Sequence, residues 1–128
     1  MAKILGLGGI FFKSKDPKKL AHWYKQYMAF EIDSSFTGST FKVKQAPENA
    51  YSVWSPFDAD TKYFEPSKKD FMINFIVDDV KKLLEQAELG GAKVHGMEQE
   101  EPFGTFGWFS DPDGNKIELW QPSDSNLD

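Results

Sequence analysis

The spacing of apolar positions changes several times along the chain, and each change marks an element. Leu5 to Ser14 is an apolar run bounded by charge, with hydrophobic residues at both parities, the pattern of a strand covered on both faces. Asp16-Pro17 reads as a helix N-cap followed by proline at the first helical position. Leu20, Trp23, Tyr24 and Tyr27 recur at helical spacing, which predicts a helix from about Asp16 to Met28. Three short runs of β character follow, Phe30 to Phe36, Thr40 to Lys44 and Ala50 to Trp54, separated by Thr37-Gly38-Ser39 and by Ala46-Pro47-Glu48-Asn49. From Pro56 to Asp70 the chain is polar and irregular, although Phe57, Tyr63 and Phe64 make it too aromatic for a plain tether. The order then repeats: a strand Phe71 to Val77, a helix from about Asp79 to Leu89 stopped by Gly90-Gly91, and strands near Ala92 to Met97, Thr105 to Ser110 and Lys116 to Gln121.

Each half therefore reads βαβββ, and two local matches fall in register with that order. Asp16-Pro17-Lys18-Lys19-Leu20 matches Asp79-Val80-Lys81-Lys82-Leu83, and Tyr51-Ser52-Val53-Trp54-Ser55-Pro56 matches Ile117-Glu118-Leu119-Trp120-Gln121-Pro122. The expectation is an α+β chain of one domain over 1–128, built from two tandem modules. Module one spans about 5–56, a linker 57–70, module two about 71–122, and a C-terminal tail 123–128.

Composition narrows the chemistry. With 128 residues and 40% hydrophobic content the chain is long enough to bury a core; accessible-surface scaling gives about 7,000 Å² folded. No cysteine is present, which removes disulfides, thiolate zinc sites, iron-sulfur clusters and cysteine nucleophiles. A reducing cytoplasm is the expected compartment. No apolar stretch is long enough to span a membrane, and the N-terminal apolar run is too short for a signal peptide, so a soluble, unprocessed chain is expected. The net charge is −5 and every one of the 15 cations is lysine, scattered singly or in pairs, so nucleic acid is not an expected partner. The aromatic content, 16%, is the unusual feature, and some of it is available for work outside the core.

The duplicated module ending in Asp111-Pro112-Asp113-Gly114-Asn115-Lys116-Ile117-Glu118-Leu119-Trp120 resembles the vicinal oxygen chelate superfamily, which includes glyoxalase I, extradiol dioxygenases and bleomycin-resistance proteins. The resemblance runs from about Leu5 to Pro122. It implies that each module curls its sheet around one side of a cup-shaped cavity, with metal ligands on the first and last strand of each. Those four positions fall on Gly9, Ser52, Met72 and Glu118, of which Glu118 alone carries a side chain suited to a hard or borderline divalent ion. His22, on a charged stretch of the first helix, and His95, in the sixth strand, lie elsewhere. No metal or other cofactor is therefore expected; the alternative is a divalent metal held by residues at shifted register.

Strand alternation proposes a lining for the cup. Leu7, Gly9 and Phe11, Ser52 with Trp54, Met72 with Asn74 and Ile76, and Glu118 with Trp120 should face it, with Trp108 on a glycine-hinged wall. The ligand-binding candidates are Phe11, Ser52, Trp54, Met72, Asn74, Trp108, Glu118 and Trp120. Glu118 is the one catalytic candidate, as a desolvated acid or base or the partner of a cationic ligand; equally it is a structural carboxylate bonded to Ser52, Asn74 or Lys116. The function this implies is binding of a small apolar or cationic molecule in a metal-free aromatic cavity, similar to the resistance branch of the superfamily. The alternative is a metal-dependent lyase of glyoxalase type or a dioxygenase, and a third reading is a cup filled by its own aromatics. The resemblance also implies a homodimer.

Overall fold

The computed structural model describes residues 1–123; most of the predicted tail, from residue 124 on, lies outside the described residues. The elements are helix α1 (Pro17–Met28), strand β1 (Ile73–Ile76), helix α2 (Val80–Leu89), and strands β2 (Lys93–Glu100), β3 (Gly104–Ser110) and β4 (Lys116–Pro122), with a short 3₁₀ turn at Val43–Gln45. Together they form an α+β structure on one four-stranded mixed sheet of order β1-β4-β3-β2, in which β1 runs parallel to β4 and the other pairs are antiparallel.

Both helices begin as their sequences dictate. Asp16 accepts a hydrogen bond from the Lys19 amide at 3.1 Å, and Asp79 from the Lys82 amide at 3.0 Å. Each cap satisfies one of the free N–H groups of a first turn. α2 packs on β3 over Gly107, where an added Cβ would stand 2.5 Å from Val80 Cγ1. α1 packs on α2 and ties to its end through Trp23 Nε1, which donates to the Gly90 carbonyl at 2.9 Å. The core between the helices and one face of the sheet holds Leu20, Trp23, Tyr24, Ile73, Val80, Leu84, Phe109, Ile117 and Leu119.

The Asp111–Asn115 turn joins β3 to β4 and anchors α1. Asp111 Oδ1 accepts from the amides of Asp113 and Asn115, while its Oδ2 accepts from Tyr24 Oη and from Asn115 Nδ2, both at 2.8 Å. Gly114 supplies the positive φ, +79°, that the turn requires. Burial, reinforced by Asp111, pushes the Tyr24 hydroxyl well above its ordinary pKa.

The second half has the predicted strand-helix-three-strand order. The first half differs: α1 forms, but the strands expected at Leu5–Ser14, Phe30–Phe36, Thr40–Lys44 and Ala50–Trp54 do not. In that half a single β-bridge joins Asp33 to Gly38 among the described residues. A two-module cup is accordingly absent from the described residues, and the sheet is a single open one. The physical reason lies in pairing. Gly6, Gly8 and Gly9 weaken the first segment as a strand, and a run with apolar residues on both faces is held extended only by a neighbour on each side. The accessible surface, 9763 Å², correspondingly exceeds the value of about 7,000 Å² expected for a compact chain of this mass. Among the described residues no helix is long and apolar enough to cross a membrane.

Candidate functional site

Alternation along β3 and β4 divides the sheet into two chemically different faces. Phe109, Ile117 and Leu119 point to the helices, and their neighbours Phe106, Trp108, Glu118 and Trp120 point the other way. On that second face Phe106 and Trp120 are register partners whose rings stack, with centroids 6.1 Å apart and planes at 3°. Tyr51 meets Trp120 edge-on at 5.3 Å, and Trp120 Nε1 donates to the Phe103 carbonyl. Trp108 lies beside them, half-buried, and meets the ring of Tyr63 edge-on at 6.4 Å.

At the centre of this aromatic surface is Glu118, only 8% exposed. Trp108 Nε1 donates to its Oε2 at 2.8 Å, Tyr63 Oη donates to the same oxygen at 2.5 Å, and Asn74 Nδ2 donates to Oε1 at 2.7 Å. Three donors satisfy a carboxylate placed among rings, a requirement for burying such a charge. On the Tyr63 side, desolvation and the Glu118 carboxylate raise the hydroxyl's pKa, so it stays a donor. Lys116 borders the cluster, with its Nζ 4.9 Å from the Tyr63 ring centroid and 5.8 Å from that of Trp108. Beyond it, His95 Nε2 and Ser110 Oγ are 2.6 Å apart.

Of the residues proposed from sequence, Asn74, Trp108, Glu118 and Trp120 come together on this face. Met72 lies just before β1, partly buried. Ser52 follows Tyr51, whose ring meets Trp120, while Phe11 and Trp54 stand exposed. Phe11 is 93% and Trp54 79% exposed, and both sit in segments with no strand pairing. Glu118 is bonded to Asn74, as one reading held, but not to Ser52 or Lys116; Lys116 donates instead to the Tyr63 carbonyl. The sequence pattern sets Phe106 in the same glycine-hinged wall as Trp108 and Tyr63 in an aromatic linker, but gives no sign of Ser110. Alternation carried one step further along β3 would have placed Phe106 and Ser110 with Trp108, whereas nothing in the local pattern marks Tyr63 as a partner for Glu118.

The divalent-metal position that the resemblance implies falls on Gly9, Ser52, Met72 and Glu118. Among the described residues no group of three His, Asp or Glu side chains comes together. Gly9 and Ser52 lie in exposed segments, and both Glu118 oxygens accept from protein donors. These residues do not fit a chelated ion. A separate open cleft of about 340 Å³ lies between the start of α2 and the β2–β3 edge, lined by Asp79, Lys81, Met97 and Gln99 among others, and holds none of the aromatic cluster.

Helices thus cover one face of the open sheet, and an aromatic, carboxylate-centred surface lies on the other. The chain belongs to the glyoxalase-like domain family, whose model matches residues 9–120. None of the curated proteins matches it. Among solved structures it is similar to the hypothetical protein SA1046 from S. aureus, at 17% identity and TM-score 0.56 over 90% of this chain and 94% of that one. An integron cassette protein from the mobile metagenome of V. cholerae gives 19% identity and TM-score 0.56 over 96% and 99%. TnmS3, an antibiotic binding protein from Streptomyces sp. CB03234, gives 26% identity and TM-score 0.50 over 85% and 88%.

Proposed function

We propose that this chain is a small-molecule-binding protein that holds an apolar, aromatic ligand against the sheet face bearing Phe106, Trp108 and Trp120, without a metal. The observation that carries the reading is the composition of that face: stacked and half-buried rings around a carboxylate already saturated by donors. Such a surface rewards burial of a flat apolar molecule and offers few polar groups, the usual balance of a ligand site. The likeness to TnmS3, an antibiotic binding protein, supports the same class of function. A cationic ligand, the other possibility raised by Glu118, would share a carboxylate that already accepts from three donors. Tyr63, the acid-base group bonded to the carboxylate, is held as a hydrogen-bond donor by its raised pKa.

The reading includes a homodimer. Exposed apolar side chains crowd the first half, among them Ile4, Leu5, Phe11, Val43 and Trp54. The excess surface, roughly 2,800 Å² per chain, is of the order that permanent interfaces cover. Dimer formation through that half would bring Phe11, Ser52 and Trp54 into a shared lining. The test of the binding reading is a titration with planar aromatic compounds, followed by tryptophan emission, beside a thermal-shift series with Zn, Ni, Mn and Fe(II). Saturable quenching with no metal-induced shift is expected. Metal stabilisation accompanied by metal-dependent turnover would replace the reading with the lyase or dioxygenase alternative.

A further inference from the structure

This inference rests on the binding reading above and adds the chemical class of the ligand. Lys93 of β2, Ser110 of β3 and Lys116 of β4 are register partners across three adjacent strands. Residues directly opposed in antiparallel strands present their side chains on one face, and Ser110 and Lys116 share the parity of Trp108 and Glu118. The aromatic surface therefore ends in a cationic row, to which His95 is joined through Ser110 Oγ.

The Glu118 carboxylate acts on Lys116 through space without bonding to it. Lys116 Nζ donates to the Tyr63 carbonyl and lies over two ring faces, and these partners among the described residues include no carboxylate oxygen. One of its three protons is used by that carbonyl, leaving two for a ligand. Glu118, the nearest carboxylate on the face, has given its oxygens to Tyr63, Trp108 and Asn74. Burial lowers the pKa of Lys116 against the opposing pull of the Glu118 carboxylate, and burial with the neighbouring Lys116 and Lys93 lowers that of His95. When His95 carries its proton on Nε2 it donates into Ser110 Oγ, which frees the serine hydroxyl proton for an acceptor. There is also room beside the ring: Gly96, the register partner of Trp108, has no side chain to cover the β2 side of the indole, and nothing lies within 4 Å of where a Cβ would stand.

We propose that Lys116, with Ser110 and His95, receives the carboxylate of an aromatic acid whose ring lies against Trp108. An apolar body with one anionic end matches the face from its ring cluster to its cationic row.

The experiment compares three probes of one shape, 2-naphthoate, 2-naphthalenemethanol and 2-naphthylmethylamine, by calorimetric titration of the intact protein. The carboxylate is expected to bind about tenfold tighter than the alcohol, and the amine more weakly than either. Lys116→Met, which keeps the apolar stem, should bring the carboxylate down to the level of the alcohol. Lys116→Arg should restore the preference, and Ser110→Ala should reduce it severalfold. Added salt should weaken the carboxylate alone. Should Lys116→Met fail to fold, the Ser110→Ala and salt arms still decide. Binding of all three probes with equal affinity, a preference for the amine, or a carboxylate preference that survives Lys116→Met would overturn this inference while leaving the binding reading intact. Binding of none would overturn the binding reading itself.

Discussion

Three donors on one carboxylate make Glu118 a strut before anything else. Its bond to Tyr63 fastens the 57–70 segment to the sheet, and Tyr63→Phe removes that bond while keeping the ring. With Tyr63 40% exposed, solvent competes for the hydroxyl, and a loss of about 1 kcal/mol is expected by urea denaturation. Asp111 is more deeply committed, because four donors converge on it from the turn and from α1. Asp111→Ala strands several of those donors in the interior and should cost about 3 kcal/mol or more in the same assay. His95 provides a pH signature. Its folded pKa lies below the ordinary 6.5, so the unfolded chain binds the extra proton first. Its contribution to stability is therefore complete above that value and is lost as pH falls through about 6.5 toward the lowered folded pKa. His95→Gln should flatten this part of a melting-temperature profile, and an unchanged slope would assign it to other groups.

Elements formed where the sequence carried its own instructions. Asp-Pro and Asp-Val starts, with apolar residues at helical spacing, are sufficient to specify α1 and α2, and both began within a residue of expectation. The Asp111–Asn115 turn and the alternation along β4 were equally legible, and the latter sets Glu118 and Trp120 on one face. The first-half strands were not legible in this way. A strand exists through its neighbour, and short apolar runs such as Thr40–Lys44 carry no information about whether a neighbour is present. Two helices that match in sequence need not imply two sheets that match in structure. Tyr63 illustrates the same limit at one residue, since its contact with Glu118 spans 55 positions and has no local signal. Where packing is tight, the elements make a sharp prediction. At Gly107 an added methyl meets Val80 and Leu84, so Gly107→Ala should push α2 off β3 and cost about 1–3 kcal/mol, measured as a lowered denaturation midpoint.

Taken as a whole molecule, the chain has a well-packed half and an open one. The helices, the sheet and the Asp111 turn bury the core, while the segments before α1 and after it leave large apolar side chains in solvent. Surfaces of that size and character are normally covered. Light scattering on a size-exclusion column is expected to give twice the chain mass, with dissociation when Phe11 and Trp54 are both changed to Ser; a monomer at all concentrations would remove the homodimer from the account. The central claim, that the aromatic face is a ligand surface, is tested most directly through its own indoles. Trp23 Nε1 is fixed to the Gly90 carbonyl within the helix layer, whereas Trp108 Nε1 points to Glu118 on the opposite face. Titrating ¹⁵N-labelled protein with 2-naphthoate should move the Trp108 indole resonance saturably and leave that of Trp23 in place. A titration in which Trp108 stays fixed while the ligand reaches saturation elsewhere would contradict the claim.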